Sequence, residues 1–297
     1  MKILVTGVEG QLARSLVERS AIRQGIDLVA IGRPQLDLAV PGSAAAAIES
    51  VRPQIVINAA AYTAVDKAED EPDLAFRVNA EAAGEVAAAA ASVDATIVQV
   101  STDYVFDGRR DRPYNESEPT SPLGVYGRSK LAGEEQVRAA NPRHAIVRTA
   151  WVYSPFGSNF VKTMMNAART RDVLTVVDDQ VGSPTSALDL AEGLLSMASE
   201  WIHDPDRGLG AVYNLAGSGS ISWCGFASFI MAECRTHSLP SAEVRPIATS
   251  DWPTKTARPA NSVLDSSKFT REFGFRMPDW QQSVSAVVGR LAAQSVA

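Results

Sequence analysis

A short apolar strand, Lys2-Ile-Leu-Val-Thr6, runs straight into Gly7-Val-Glu-Gly10-Gln11-Leu12-Ala13 and then into a helical pattern with Leu12, Leu16 and Val17 on one face. No other stretch constrains the fold as strongly. Strand, glycine turn and helix in that order make a βα unit whose turn can cradle a phosphate. Gly7 permits the tight turn and Gly10 lets the backbone approach a pyrophosphate. The helix N-terminus offers unpaired N–H groups and the positive end of a dipole. The spacing is Gly-x-x-Gly-x-x-Ala, and Ala13 is small enough to replace a third glycine where helix and strand pack closely. Gly7, Gly10, Gln11 and Leu12 are therefore expected against a dinucleotide. A plain βα turn would also satisfy the spacing, so the cofactor needs support elsewhere.

That support comes from the next strands. Leu28-Val-Ala-Ile31 ends in Gly32-Arg33, where an acidic residue commonly grips ribose hydroxyls and an arginine suits a 2′-phosphate. Arg33 favours NADPH over NADH, with NADH still admitted, and Asp37 and Leu38 are expected on the adenine side. Ile55-Val-Ile-Asn58 opens into Ala59-Ala60-Ala61-Tyr62, small residues that let a cofactor lie against backbone. Val65 to Glu71 reads as a charged, solvated loop, and Ala75 to Ala91 as a long Ala-rich helix. Strands apolar on both faces, alternating with helices, indicate an α/β protein with a Rossmann-type, doubly wound parallel sheet.

The chemistry is expected where Thr96-Ile-Val-Gln-Val100 ends in Ser101-Thr102-Asp103. Beyond a Pro- and Gly-containing loop, Tyr126 to Ala139 reads as a helix. Tyr126 and Lys130, four positions apart, fall on one face of it. A free phenol titrates near ~10, and an ammonium beside it would lower that value towards useful general acid–base strength. Tyr-x-x-x-Lys also occurs by chance on amphipathic helices, and it gains meaning only beside a cofactor turn.

Further strands are expected at Ala145–Thr149, Leu174–Val177 and Val212–Leu215, with Val181-Gly-Ser-Pro-Thr185 as a turn. Helices are expected at Asn159–Ala168, Leu188–Met197, Trp223–Glu233, Ser266–Phe273 and Trp280–Ala293. The expected division assigns 1–150 and 182–216 to the cofactor domain. Residues 151–181 and 217–297 form a smaller, mostly helical substrate lobe closing over the cleft.

The 297 residues can bury a large core, and 45% hydrophobic with 21% charged residues is ordinary for a globular protein. A net charge of −6 argues against nucleic-acid partners, whose phosphates need clustered Lys and Arg. No long uncharged apolar segment suggests a membrane span, and a core strand starting at Lys2 leaves no room for a targeting peptide. Cys224 and Cys234 are expected on one helix as reduced, buried thiols of a cytoplasmic protein. The three scattered histidines lack ligand spacing, so neither a metal nor Ser-His-Asp hydrolysis is expected.

Taken together, these stretches resemble the extended short-chain dehydrogenase/reductases, and within them the dTDP-4-dehydrorhamnose reductase family. The matching segments are Thr6-Gly-Val-Glu-Gly-Gln-Leu12, Asn58-Ala-Ala-Ala-Tyr-Thr-Ala-Val-Asp-Lys-Ala-Glu69 and Val100-Ser-Thr-Asp-Tyr-Val-Phe-Asp107. Pro122 to Glu134, Arg148-Thr-Ala-Trp-Val-Tyr153, Asp179-Gln-Val-Gly-Ser-Pro-Thr185 and Arg258-Pro-Ala-Asn-Ser262 complete them in family order. The resemblance implies NAD(P)H-dependent reduction of the C4 ketone of dTDP-4-dehydro-β-L-rhamnose, the last step of dTDP-rhamnose biosynthesis. By motif, Tyr126 would give the proton, Lys130 would hold the nicotinamide ribose and depress the phenol pKa, and Thr102 would tune the transfer. Asp103 would contact the sugar and Trp151 would pack on the sugar nucleotide, with Asn159 and Arg258 as further substrate contacts. Some members dimerise around a magnesium ion held by glutamates, whose positions correspond here to Ser15 and Leu188. Neither is a hard-cation ligand of that kind, so no metal and a monomer or weak homodimer are expected.

Three alternatives stay open. A reductase of another dTDP-4-keto-6-deoxy sugar, or one giving the C4 epimer, needs only a different sugar pose. An epimerase or dehydratase would recycle its cofactor, but dehydratases of this type place Asp-Glu beside the strand-end Thr, where Asp103-Tyr104 stands here. A non-catalytic nucleotide-binding subunit could dispense with Thr102, Tyr126 or Lys130, and all three are present.

Overall fold

The computed structural model describes residues 1–296. Its frame is a six-stranded parallel sheet, built from β1 (Lys2–Thr6), β2 (Asp27–Ile31), β3 (Ile55–Asn58), β4 (Thr96–Thr102), β5 (His144–Thr149) and a later strand, Ala211–Asn214. The strands lie in the order Ala211–Asn214, β5, β4, β3, β1, β2. The order reverses beside β1, so the crevice outside the carboxyl ends of β1 and β3 is the natural ligand position. Alternate strand residues face opposite sides. Ile3, Val5, Ile55 and Ile57 enter one core, and Leu4, Val56 and Ile97 enter the other.

The second of those cores is covered by α2 (Ser43–Val51) and α5 (Ala82–Ser92), which continues a π-helical turn (Arg77–Glu81), while α3 (Val65–Ala68) and α4 (Pro72–Phe76) pack through Ala68 and Ala75 against Val125. The helix α6 (Val125–Ala140) completes this layer. The first core is covered by α1 (Gln11–Ser20) and by the helix Ala187–His203. Alanines along α5 keep that helix close to α2 and α6; Ala83, Ala87 and Ala90 are all buried. Gly127 and Gly133 do the same for α6, because a Cβ there would collide with the Tyr104 carbonyl and the Asn79 carbonyl respectively.

The rest of the chain forms β6 (Val152–Tyr153), α7 (Phe160–Ala167), β7 (Val173–Val177), β8 (Val181–Gly182), β9 (Thr185–Ser186), α8 (Ala187–His203) and β10 (Ala211–Asn214). After β10 come β11 (Ile221–Ser222), α9 (Trp223–Thr236), β12 (Glu243–Ile247), α10 (Ser267–Phe273) and α11 (Trp280–Val296). A further core gathers Tyr153, Val161, Phe226, Ile230, Met231 and Val284, from α7, α9, α11 and the strands between them. Cys224 and Cys234 sit on α9 as free, buried thiols.

Several expectations need correction. Val65 to Glu71 is no solvated loop, because α3 buries Ala68 completely. The segment Val181 to Thr185 carries two short strands, with β8 pairing β11 and β9 pairing β6. The strand β12 was unforeseen, since Pro246 and a charged Glu243–Arg245 pair hide a partner that lies parallel to β7. Val17 turns outward, with 46% of its surface exposed. Phe269 and Phe273 of α10, with Met277, pack into the sheet core. Among the described residues no helix is long and apolar enough to cross a membrane.

Candidate active site

A cleft of about 990 Å³ runs across the carboxyl ends of β1, β3, β4 and β5. It gathers nearly all the expected site residues. Gly7, Gly10, Gln11, Leu12, Arg33, Asp37, Leu38, Ala59, Ala60, Ala61 and Tyr62 line one part, and Thr102, Asp103, Tyr126, Lys130 and Trp151 line the other. The sheet brings Thr102 beside Thr149 across the β4–β5 ladder, while α6 presents Tyr126 and Lys130 from above β4.

The glycine turn is shaped as a phosphate cradle. Gly7 has φ +90°, a left-handed conformation costly for a residue with a Cβ, and its N–H donates to the Ile31 carbonyl at 2.6 Å. The N-cap of α1 is Gly10, no side chain caps it, and the first turn contains no acidic residue. Its first-turn N–H groups and dipole therefore have no side-chain cap of their own, and the residues present fit a dinucleotide. Gln11 differs from expectation. Its side-chain amide serves the second lobe, accepting from Ser154 Oγ at 2.9 Å and Asn159 Nδ2 at 3.0 Å and donating to the Val152 carbonyl at 3.3 Å.

A chain of hydrogen bonds leads from the strand before this turn to α6. Thr6 Oγ1 donates to Asn58 Oδ1 at 2.7 Å, Asn58 Nδ2 donates to Gln99 Oε1 at 2.7 Å, and Gln99 Nε2 donates to the Val100 carbonyl at 3.1 Å. That carbonyl also accepts from Lys130 Nζ at 2.7 Å. Asn79 adds a second tie from the π-helical turn. It brackets the Tyr62 backbone, accepting from its N–H at 2.8 Å and donating to its carbonyl at 3.0 Å, and it donates to Ser129 Oγ at 3.0 Å. Such turns recur at functional sites, but nothing in the sequence pattern marks one.

Burial governs the site's electrostatics. Lys130 is 4% exposed, and desolvation lowers its ammonium to about 8, with Glu134 opposing the shift. Desolvation raises the Asp103 carboxyl to about 6, against hydrogen bonds from Thr102 and Ser262. The Tyr126 phenol also moves up, again through burial, with a Thr102 hydrogen bond pulling the other way. Lys130 is not among the groups that lower it, which corrects the expectation of a lysine-depressed phenol; the ammonium is turned to Val100 instead. Tyr104, edge-on to Tyr126 with ring centroids 5.5 Å apart, is pushed up to about 12 by burial.

Glu134, one turn beyond Lys130, forms a fully buried bidentate pair with Arg148 at 2.8 and 2.7 Å and accepts from Ser101 Oγ at 2.7 Å. The pair fixes the end of β4 immediately before Thr102. A Glu on a helix and an Arg on a strand gave no sign in the sequence of meeting in the core.

On the substrate side, Trp151 lies flat on Trp223, with centroids 3.4 Å apart and planes 7° apart, and its Nε1 donates to Ser262 Oγ at 3.1 Å. Its φ of +46° is unusual for a bulky residue and belongs to the strained conformations that cluster at functional sites. Asn159 and Arg258 do not line the cleft. Asn159 is the N-cap of α7, accepting from the Lys162 N–H at 3.2 Å, and its Nδ2 is already engaged by Gln11, Ser154 and Phe156. Arg258 Nη2 pairs with Asp66 at 2.6 Å, and its Nη1 reaches the Tyr104 hydroxyl at 3.4 Å, behind Tyr126. Among the described residues no group of three or more His, Cys, Asp or Glu is placed to hold a metal ion.

Known proteins resemble this chain in sequence and fold. The family described as the RmlD substrate binding domain matches residues 1–293. A dTDP-4-dehydrorhamnose reductase of Sinorhizobium fredii is 42% identical over 291 residues, covering 98% of each chain. The crystal structure of a dTDP-4-dehydrorhamnose reductase from Clostridium acetobutylicum superimposes with a TM-score of 0.89 at 38% identity, covering 98% of this chain and 99% of the other. The Bacillus anthracis dTDP-4-dehydrorhamnose reductase, solved in complex with NADP, gives 0.88 at 35% identity over 97% and 99%. The chain belongs to the dTDP-4-dehydrorhamnose reductase family of Rossmann-type reductases.

Proposed function

We infer that this protein is an NADPH-dependent oxidoreductase that reduces the C4 ketone of dTDP-4-dehydro-β-L-rhamnose to dTDP-L-rhamnose. One observation carries the reading: the uncapped glycine turn and the Thr102, Tyr126 and Lys130 side chains line the same cleft. NADPH, when bound, supplies the hydride. The protein's own residues have to orient the ketone, stabilise the developing alkoxide and deliver one proton to it.

Tyr126 is the proton donor in this scheme. Its raised pKa keeps the phenol protonated until the alkoxide, a far stronger base, develops beside it. Thr102, which pulls the Tyr126 phenol down against the effect of burial, is positioned by its bond to Asp103 to steady the phenol hydroxyl as the proton leaves. Lys130 carries the positive charge of this face and is placed to hold the nicotinamide ribose. Asp103 accepts a hydrogen bond from the Thr102 hydroxyl at 2.9 Å, and so orients that hydroxyl beside the phenol. Trp151, backed by Trp223, offers a flat apolar wall to the sugar nucleotide. Arg33, exposed at the end of β2, is placed to meet a 2′-phosphate, and Asp37 and Leu38 border the adenine side.

We place the enzyme in the cytoplasm as a monomer or weak homodimer working without a metal. Supporting this, Ser15 is buried on α1 with its hydroxyl donating to the Gln11 carbonyl at 2.8 Å, and Leu188 on α8 brings no ligand oxygen. The function is tested by following NADPH consumption with enzymatically generated dTDP-4-dehydrorhamnose. One equivalent oxidised per sugar converted is expected. A folded protein that binds NADPH but leaves this sugar unreduced would turn the assignment to another dTDP-4-keto-6-deoxy sugar.

A further inference from the structure

The helix that carries Tyr126 and Lys130 begins without its own cap. Gly124 is the N-cap of α6, no side chain caps it locally, and the first turn contains no acidic residue. An uncapped helix end leaves backbone donors unsatisfied and its first turn prone to fray. Here the missing acceptor arrives from far away in sequence. Glu69, just past α3, accepts the Val125 N–H on Oε1 at 2.7 Å. A carboxylate at a helix N-terminus also complements the dipole.

The same Oε1 accepts from Thr256 Oγ1 at 3.2 Å, and Thr256 is a buried hydroxyl of the segment joining β12 to α10. That segment is laid along α3 by successive acidic residues. Lys255 Nζ donates to Asp70 at 2.7 Å, the Thr256 N–H to Asp66 at 3.3 Å, and Arg258 Nη2 to Asp66 at 2.6 Å. Gly124 is part of the same close approach, because a Cβ there would meet both the Thr256 methyl and Glu69 Oε1. Arg258 then continues to the Tyr104 hydroxyl, and Tyr104 lies edge-on to Tyr126. The segment 255–258 thus reaches the start of the catalytic helix through Glu69 and its proton donor through Tyr104.

We propose that Glu69 is a positioning residue for the reaction: it caps the helix bearing Tyr126 and makes that cap depend on the seating of the segment 255–258. The proposal rests on Tyr126 being the proton donor. Glu69 touches neither cofactor nor sugar in this account. It acts by holding the first turn of α6, and so the phenol, at a fixed distance from Thr102. A misplacement of the donor by an ångström costs rate without costing cofactor affinity.

The test compares Glu69→Ala and Glu69→Gln with the wild type by amide hydrogen exchange of the whole protein and by kcat, KM and NADPH affinity. In Glu69→Ala, exchange at residues 125–128 is expected to speed up about tenfold, the loss of one charge-assisted hydrogen bond, while the sheet exchanges as before. The same variant is expected to lose about tenfold in kcat with NADPH affinity kept within about twofold. Glu69→Gln keeps an oxygen that can accept from Val125 and Thr256, and should stay within about threefold of wild-type kcat. Unchanged exchange at residues 125–128 would overturn the proposal, as would a glutamine variant as slow as the alanine one or faster exchange spread evenly through the sheet. The exchange measurement needs no substrate. A wild type inert towards the keto sugar would defeat the functional reading, and the exchange result would still decide the role of Glu69 as a cap.

Discussion

Lys130 Nζ donates to the Val100 carbonyl at 2.7 Å, and the same carbonyl accepts from Gln99 at 3.1 Å, the last link of a chain that begins at Thr6 beneath the glycine turn. Lys130 and the strand end beneath the glycine turn are therefore two ends of one hydrogen-bond network. Among the described residues Lys130 has one acceptor, the Val100 carbonyl, for its three donors, which leaves donors for a ribose.

Tyr126→Phe removes the phenol oxygen and keeps the ring against Tyr104. NADPH should bind as before, and kcat should fall by ~10²–10⁴, the usual contribution of a general acid. Steady-state rates beside a fluorescence titration of NADPH check both halves. Turnover near the wild-type rate would remove Tyr126 from the proton transfer.

The pH response of Lys130 separates activity from stability. Its ammonium titrates at about 8 in the folded protein against 10.5 for a free lysine. Below about 8 both folded and unfolded chains hold the proton, and the folded state carries the cost of a buried charge. Between about 8 and 10.5 only the unfolded chain still holds the proton, so stability from this group rises with pH. Catalysis that needs the ammonium should decline over the same range. Lys130→Met removes the group, so its melting temperature should exceed that of the wild type at neutral pH and the gap should close towards pH 10. A gap independent of pH would show that the ammonium is not penalised by burial.

Arg33→Ala should weaken NADPH about tenfold or more and NADH by less than about twofold, as expected for losing a charge-assisted contact to a phosphate that only NADPH carries. Dissociation constants for the two cofactors check this directly. Equal effects on both would take Arg33 off the 2′-phosphate.

Gly182→Ala pushes a Cβ into the Trp151 indole, which is itself stacked on Trp223 and bonded to Ser262. Overpacking of this kind costs about 1–3 kcal/mol. A lower melting temperature, an altered near-ultraviolet signal from the tryptophan pair and a raised KM for the sugar nucleotide are expected together. A variant with wild-type KM would separate Trp151 from substrate binding.

The sheet and the cleft were legible because they rest on local signals. Runs such as Ile55-Val-Ile and Thr96-Ile-Val read directly as buried strands, and Gly7 marks a turn whose positive φ favours glycine. What escaped the sequence depends on distant partners. The polar side chains of Asn79, Glu134 and Arg148 look like surface groups until the fold buries them, Asn79 against Ser129 and Glu134 against Arg148. Glu69 looked like part of a solvated loop because its partner Thr256 lies 187 positions away. Asn159 and Arg258 were expected to hold substrate on the strength of motif alone. The local chemistry instead occupies one as a helix cap and the other as the partner of Asp66.

The central claim is a net reduction at C4 with Tyr126 supplying the proton. The most direct test follows deuterium from NADPH labelled at the transferable position into the sugar, read by NMR of the isolated product. The account predicts dTDP-L-rhamnose with deuterium at C4 and one NADPH oxidised per molecule formed. Deuterium elsewhere in the sugar, or product formed without net loss of NADPH, would contradict it and mark an enzyme that recycles its cofactor.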